Sequence, residues 1–181
     1  MTDRALGRRL QWTAIGLLFI HFDISIGGIP LLPAWIGWLI LFFQLPQLAQ
    51  ARPTLGLLRP FALVLGVSAA TGRVPWPAAV SLVTGAISLY FYFQLLTDLA
   101  ALAQERLPAD SALPRLFLRC RTVWILGLTA THIMRPYLDR DWPDVLVWAR
   151  MLIVLAVLLM AFSAIFALFF MAKRLRDKEA G

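Results

Sequence analysis

The chain is poor in imidazole and thiol groups, with two histidines and one cysteine in 181 residues. A lone thiol, Cys120, allows no internal disulfide, no thiolate metal cluster and no membrane oxidoreductase working through paired cysteines. There is no Gly-x-Ser-x-Gly elbow and no glycine-rich phosphate loop. His-Glu-x-x-His is absent, and no glutamate is expected inside a helix. No two acids share a face inside such a run, as an aspartyl protease or a metal-dependent lipid transferase requires. These absences leave no catalytic residue and no metal set to name.

Charge is scarce too. Charged residues make up 15% of the chain and hydrophobic ones 60%, against about 25% and about 45–50% in soluble domains. With a mean hydropathy of +0.76, the apolar excess is more than one core of this size can hide, so lipid must be its solvent. The net charge of +7 would suggest nucleic acid in a soluble protein. Here the bases cluster between apolar runs, which is the signature of membrane topology and not of a nucleic-acid partner.

Six apolar segments follow one another. Helix 1 is expected from about Leu10 to Ile26, near the roughly 20 residues of a span. A cleaved signal peptide ending at Ser25-Ile26-Gly27 is the rival reading, opposed by His21 and Asp23 inside the segment. Gly27-Gly28-Ile29-Pro30-Leu31-Leu32-Pro33 reads as a turn. Helices are then expected over about 33–49, 60–71, 78–103, 122–134 and 145–172. A polar connection, Glu105 to Arg121, and a charged loop, Arg135 to Asp144, separate the last three. Thirteen of the seventeen bases fall at the two termini, at Arg52 and Arg59, and between Arg106 and Arg121. The positive-inside rule therefore places both termini in the cytoplasm.

The hairpins repeat. A shift of 50 residues brings Arg9 onto Arg59, Gly16 onto Gly66, and Phe42-Phe43-Gln44-Leu45 onto Tyr92-Phe93-Gln94-Leu95. A shift of 111 brings Gly16-Leu17-x-x-x-His21 onto Gly127-Leu128-x-x-x-His132. The expected fold is all-α: a polytopic membrane protein, one domain over 1–181, with six transmembrane helices as three tandem hairpins at about 9–50, 59–104 and 119–172. Repeats in membrane proteins often surround a central site. Small residues four apart, Gly66 with Ala70, Ser81 with Gly85 and Gly127 with Thr131, would let helices approach closely.

Phe22-Asp23-x-x-x-Gly27 followed by Leu32-Pro33-x-x-Ile36-Gly37 resembles the N-terminal motif of a group of small bacterial multi-pass inner-membrane proteins. The resemblance covers about the first 40 residues, and Ala34 stands where that pattern has an acid. It implies a multi-pass protein of the inner membrane and nothing about chemistry.

Ionisable side chains in a membrane helix are costly, so they tend to be paired or functional. The candidate ligand- or ion-binding residues are His21, Asp23, Arg73, His132, Arg135, Gln44 and Gln94. His21 and Asp23 point to nearly opposite helix faces. Asp23 either meets a cation, a proton or an arginine of another hairpin, Arg73 or Arg135, or merely caps the turn and locks hairpins together. His21 and His132 occupy one repeat position. Such a pair could hold haem b between two imidazoles, but more often hydrogen-bonds within the bundle. Gln44 and Gln94 either line a polar path or bond across helices, and Gln94 shares a face with Asp98. Trp35, Trp38, Trp76, Trp142 and Trp148 suggest an aromatic belt. Asp139, Asp141 and Asp144 surround Arg140 in a loop that reads as solvated rather than metal-binding.

Three functions stay open. One is a small channel, carrier or ligand-binding bundle with an outward polar site. The second is a non-catalytic accessory subunit of a membrane complex. The third is a haem or quinone electron-transfer protein. Lipid is the expected partner throughout, with a homo-oligomer or another membrane subunit as the protein partner.

Overall fold

A computed structural model describes residues 1–22, 25–26, 29–30, 33–71, 77–134 and 144–178. The architecture is all-α: α1 Asp3–His21, α2 Ala34–Leu48, α3 Arg59–Ala70, α4 Ala78–Arg106, α5 Leu113–Met134 and α6 Asp144–Lys178. A 3-10 helix, Pro53–Leu58, leads into α3. Between α1 and α2 two-residue strands, β1 Ser25–Ile26 and β2 Ile29–Pro30, pair antiparallel across Gly27-Gly28.

Charged segments expected to lie outside the helices are partly helical. α1 begins at Asp3 rather than Leu10, with Thr2 as its cap: Thr2 Oγ1 accepts from the Ala5 amide at 3.2 Å. α5 begins at Leu113 rather than Thr122, and α4 runs on through Glu105 to Arg106. Arg, Leu and Ala are strong helix formers, so helicity continues where hydrophobicity stops. α1 ends at His21, before Ile26, as the chain approaches the paired glycines.

Three stretches, Pro53–Ala70, Ala79–Arg106 and Val147–Lys178, are long and apolar enough to cross a membrane, and Ala34–Leu48 is a shorter apolar helix. α1 and α5 do not meet that measure; their N-terminal halves carry Arg4, Arg8 and Arg9, and Arg115, Arg119 and Arg121.

The helices pack as a ring in chain order, with α6 returning to α1. The α2–α3 and α4–α5 joints are packed comparably to α1–α2, so packing does not set three hairpins apart, and α3–α4 is the sparsest joint. Both ends of the described chain lie together, since Asp3 pairs with Arg106 at 3.3 Å and with Lys178 at 3.5 Å. The α2–α3 connection joins them there through Arg52 and Glu105 at 2.9 Å.

The core fills this terminal end. Leu10, Leu41, Leu45, Leu48, Leu58, Leu95 and Leu99 are fully buried. Toward the other end the bundle loosens, and α6 has no buried residue from Val147 to Met160. Glycine sets the closest crossing: a Cβ on Gly37 would strike the Gly16 carbonyl oxygen and stand 2.9 Å from the Ile20 amide nitrogen. The related repeat positions Gly66 and Gly127 are also at crossings, against Trp38 and Val157. Trp38 is not in an aromatic belt. It is buried edge-on against Phe91 at 5.1 Å, whereas Trp35 and Trp148 are exposed.

Candidate functional site

The sparse α3–α4 joint opens, at the end away from the termini, into a cavity of about 380 Å³. Its lining is written along α4. Ser81, Thr84, Ser88 and Tyr92 recur three or four residues apart, which puts them on one helix face. Ser68 faces them from α3, and His21 of α1 and Trp124 of α5 form part of the wall. Thr84 Oγ1 donates to its own helix at the Val80 carbonyl, 2.7 Å away, and keeps its lone pairs as acceptors. The hydroxyls of Ser68, Ser81 and Ser88 have no bonded partner among the described residues.

Three rings form the wall. His21 Nδ1 lies 2.7 Å from the Leu17 carbonyl oxygen, which only accepts, so Nδ1 carries the proton. In the neutral ring Nε2 is then an acceptor, with the Tyr92 hydroxyl 3.4 Å away. Tyr92 stacks on Trp124 at 4.6 Å, and His21 meets Trp124 edge-on at 4.7 Å. Trp124 Nε1 is buried without a hydrogen-bond partner among the described residues. Leaving such a donor unsatisfied costs about 1–3 kcal/mol. The cavity thus offers a row of hydroxyls, while the orphan indole N–H is buried within its wall. Among the described residues no charged side chain lines it.

Comparison finds no matching family, curated protein or solved structure. Function must be argued from these residues alone.

Of the residues expected to form the site, His21 is in the cavity wall. Gln44 and Gln94 are not. Gln44 accepts from Arg9 Nη1 at 3.5 Å, and Gln94 donates to Asp98 at 3.0 Å. Both bonds cross or brace helices and neither residue lines the cavity. Asp23, Arg73 and Arg135 lie outside the described residues, as do Asp139, Asp141 and the side chain of His132. His21 does not fit a haem ligand here, because Nε2, the nitrogen left to ligate, faces the Tyr92 hydroxyl and Trp124 packs against the ring.

A second polar centre, at the terminal end, was visible in the sequence only in part. Asp98 is 1% exposed and accepts three bonds: from Arg52 Nε at 2.7 Å, Thr54 Oγ1 at 2.8 Å and Gln94 Nε2 at 3.0 Å. Arg52 also reaches Glu105 at 2.9 Å. Its hydrogen bond to Asp98 is the main cause raising the Arg52 pKa above its ordinary value. The network ties the 3-10 helix preceding α3 to α4, fastening the sparse joint at the end opposite the cavity. An acid inside an apolar helix calls for a cation. Arg52, however, reads in sequence as one more topological charge.

Proposed function

We propose that this is a multi-pass inner-membrane protein whose six helices all cross the bilayer, both termini in the cytoplasm, and whose outward cavity binds a small, uncharged polar solute. The observation that carries the binding reading is the set of serine hydroxyls unpartnered among the described residues, Ser68, Ser81 and Ser88, lining one cavity with Thr84. At about 380 Å³ the cavity is near the lower end of small-molecule sites, about 300–1,000 Å³. The absence of charge from its described lining favours a neutral ligand held by hydrogen bonds. The six-span reading is supported by large apolar side chains exposed on every helix, among them Trp12, Phe43, Val67, Leu82, Leu126 and Phe166. On α1 and α5 the arginines sit in the N-terminal halves, and those deepest in the sequence, Arg9 and Arg121, bond to Gln44 and Thr97 of neighbouring helices. The motif around Phe22 and Gly37 agrees with this placement, and the clustered bases favour a cytoplasmic terminal end.

The binding test is a melting scan of detergent-purified protein against neutral polyols and amides. At least one should raise the wild-type midpoint and fail to raise that of Ser88→Leu, which fills the cavity. No shift with any of them would count against solute binding.

A second reading, an accessory subunit, is favoured by one feature. α6 has 35 residues, about 52 Å of helix against a hydrocarbon core of about 30 Å, and its first half is uncovered. Crosslinking from Met151 to another membrane protein in intact cells would favour it. Crosslinks to lipid alone would favour the solute-binding bundle.

A further inference from the structure

At the terminal end a groove of about 620 Å³ runs between α1 and α6. Along α1, Arg4, Arg8, Gln11, Trp12 and Ile15 recur at helical spacing on one face, and Arg176 of α6 closes the side. Arg176 Nη1 donates to Gln11 Oε1 at 3.2 Å. Neither Arg4 nor Arg8 has an acidic partner among the described residues, while nearby Asp3 is taken by Arg106 and Lys178. Three guanidinium groups therefore line one groove, with Arg4 in the first turn of α1, where the helix N-terminus adds its own positive field.

The groove changes character along its length. Trp12 is two turns from Arg4, about 12 Å along the helix, and Ile15 is about 16 Å away. Arg4 and Arg8 stand at one end, the Gln11 amide with Arg176 bonded to it and the Trp12 indole in the middle, and an aliphatic side chain toward the bundle's centre. A phospholipid has this same order of phosphate, ester zone and acyl chain. Inorganic phosphate would need only the first part. Exposed Trp12 suits the ester zone, where an amphipathic ring is most stable.

We propose that this groove binds an anionic phospholipid of the cytoplasmic leaflet, its phosphate held by Arg4, Arg8 and Arg176 and its acyl chain lying along Trp12 and Ile15. The proposal rests on the membrane reading above. A basic residue near an anionic membrane surface strengthens binding by about fivefold, so three arginines give a preference on the order of 100-fold.

The test is native mass spectrometry of the full chain in detergent, with phosphatidylglycerol and phosphatidylcholine of identical acyl chains. Wild type should retain phosphatidylglycerol in clear preference. Arg4→Gln/Arg8→Gln, both exposed positions that leave the Arg176–Gln11 bond intact, should lose about fivefold per arginine. Arg115→Gln/Arg119→Gln, an exposed pair elsewhere on the terminal side, should keep the preference. No wild-type preference, a preference that survives the first pair, or an equal loss with the second pair would overturn the site. Equal stabilisation by inorganic phosphate alone would overturn the lipid assignment. Alkaline carbonate extraction separates the two levels. Protein that stays in the membrane but lacks the preference sinks only the lipid site, whereas release by carbonate sinks the membrane reading and the lipid site with it.

Discussion

Removing Arg52 should harm this protein more than neutralising Asp98, although the two share one ion pair. The reason lies in what each change leaves behind. Asp98 is 1% exposed, so Arg52→Gln leaves a carboxylate out of water with only Thr54 and Gln94 as donors. Stranding a buried charge costs about 3–5 kcal/mol. Arg52 is 28% exposed and keeps Glu105, so Asp98→Asn leaves a cation that can turn to water. The Asn oxygen still accepts one bond, and Gln94 can rotate its amide to accept from the Asn amide. The loss is then that of one charged hydrogen bond, about 1.5–3 kcal/mol. For a chain of this length each kcal/mol moves the midpoint by about 2–4 °C. Melting in one detergent should thus place Arg52→Gln on the order of 10 °C below wild type, Asp98→Asn about half as far, and the double variant above Arg52→Gln. The reverse order of the singles, or a double loss equal to their sum, would refute the buried-lock reasoning.

Gly37→Ala should cost about 1–3 kcal/mol, because its Cβ meets backbone of α1 that cannot move aside. Gly127→Ala would clash only with the Val157 side chain, Ile153 standing at ordinary contact distance, so Gly127→Ala/Val157→Ala should recover most of its loss in the same melting assay, and failure to recover would place the crossing's strain elsewhere. Trp124→Phe removes a buried orphan donor and should leave the ligand-free midpoint unchanged or slightly higher. A large ligand-free loss would mean the indole's shape, not its N–H, is what the wall requires. Protein purified from haem-replete cells should show no Soret band, since His21 Nε2 faces Tyr92 and Trp124 packs against the ring. A band abolished by His21→Ala would contradict that placement.

Apolar runs located all six helices, because long ones bounded by Gly and Pro have few other readings. They misplaced the starts of α1 and α5, since arginine-rich turns are helical without being apolar. Of the small-residue pairs, Gly66 and Gly127 stand at crossings, but Gly66 with Ala70 also lines a small cavity, and Ser81 with Gly85 lines a larger one. The hydroxyl stripe from Ser81 to Tyr92 was present in the sequence at helical spacing. It is ambiguous there, because serine in a membrane helix serves packing as readily as binding. Which helices gape is a tertiary fact that no local pattern encodes. For Asp98, its i−4 neighbour Gln94 was legible, while Arg52, 46 residues away, required the fold.

The most direct measurement is the sidedness of the cavity. Cys120 is the sole cysteine and is buried, so a Cys120→Ala background is silent to thiol reagents. Ser81→Cys, lining the cavity, and Ser111→Cys, between α4 and α5, can then be probed in intact cells with a small membrane-impermeant methanethiosulfonate. Labelling of Ser81→Cys from outside, with Ser111→Cys reacting only after permeabilisation, is the outcome expected of an outward polar cavity in a bundle with cytoplasmic termini. Labelling of Ser111→Cys in intact cells, or of Ser81→Cys only after permeabilisation, would contradict it.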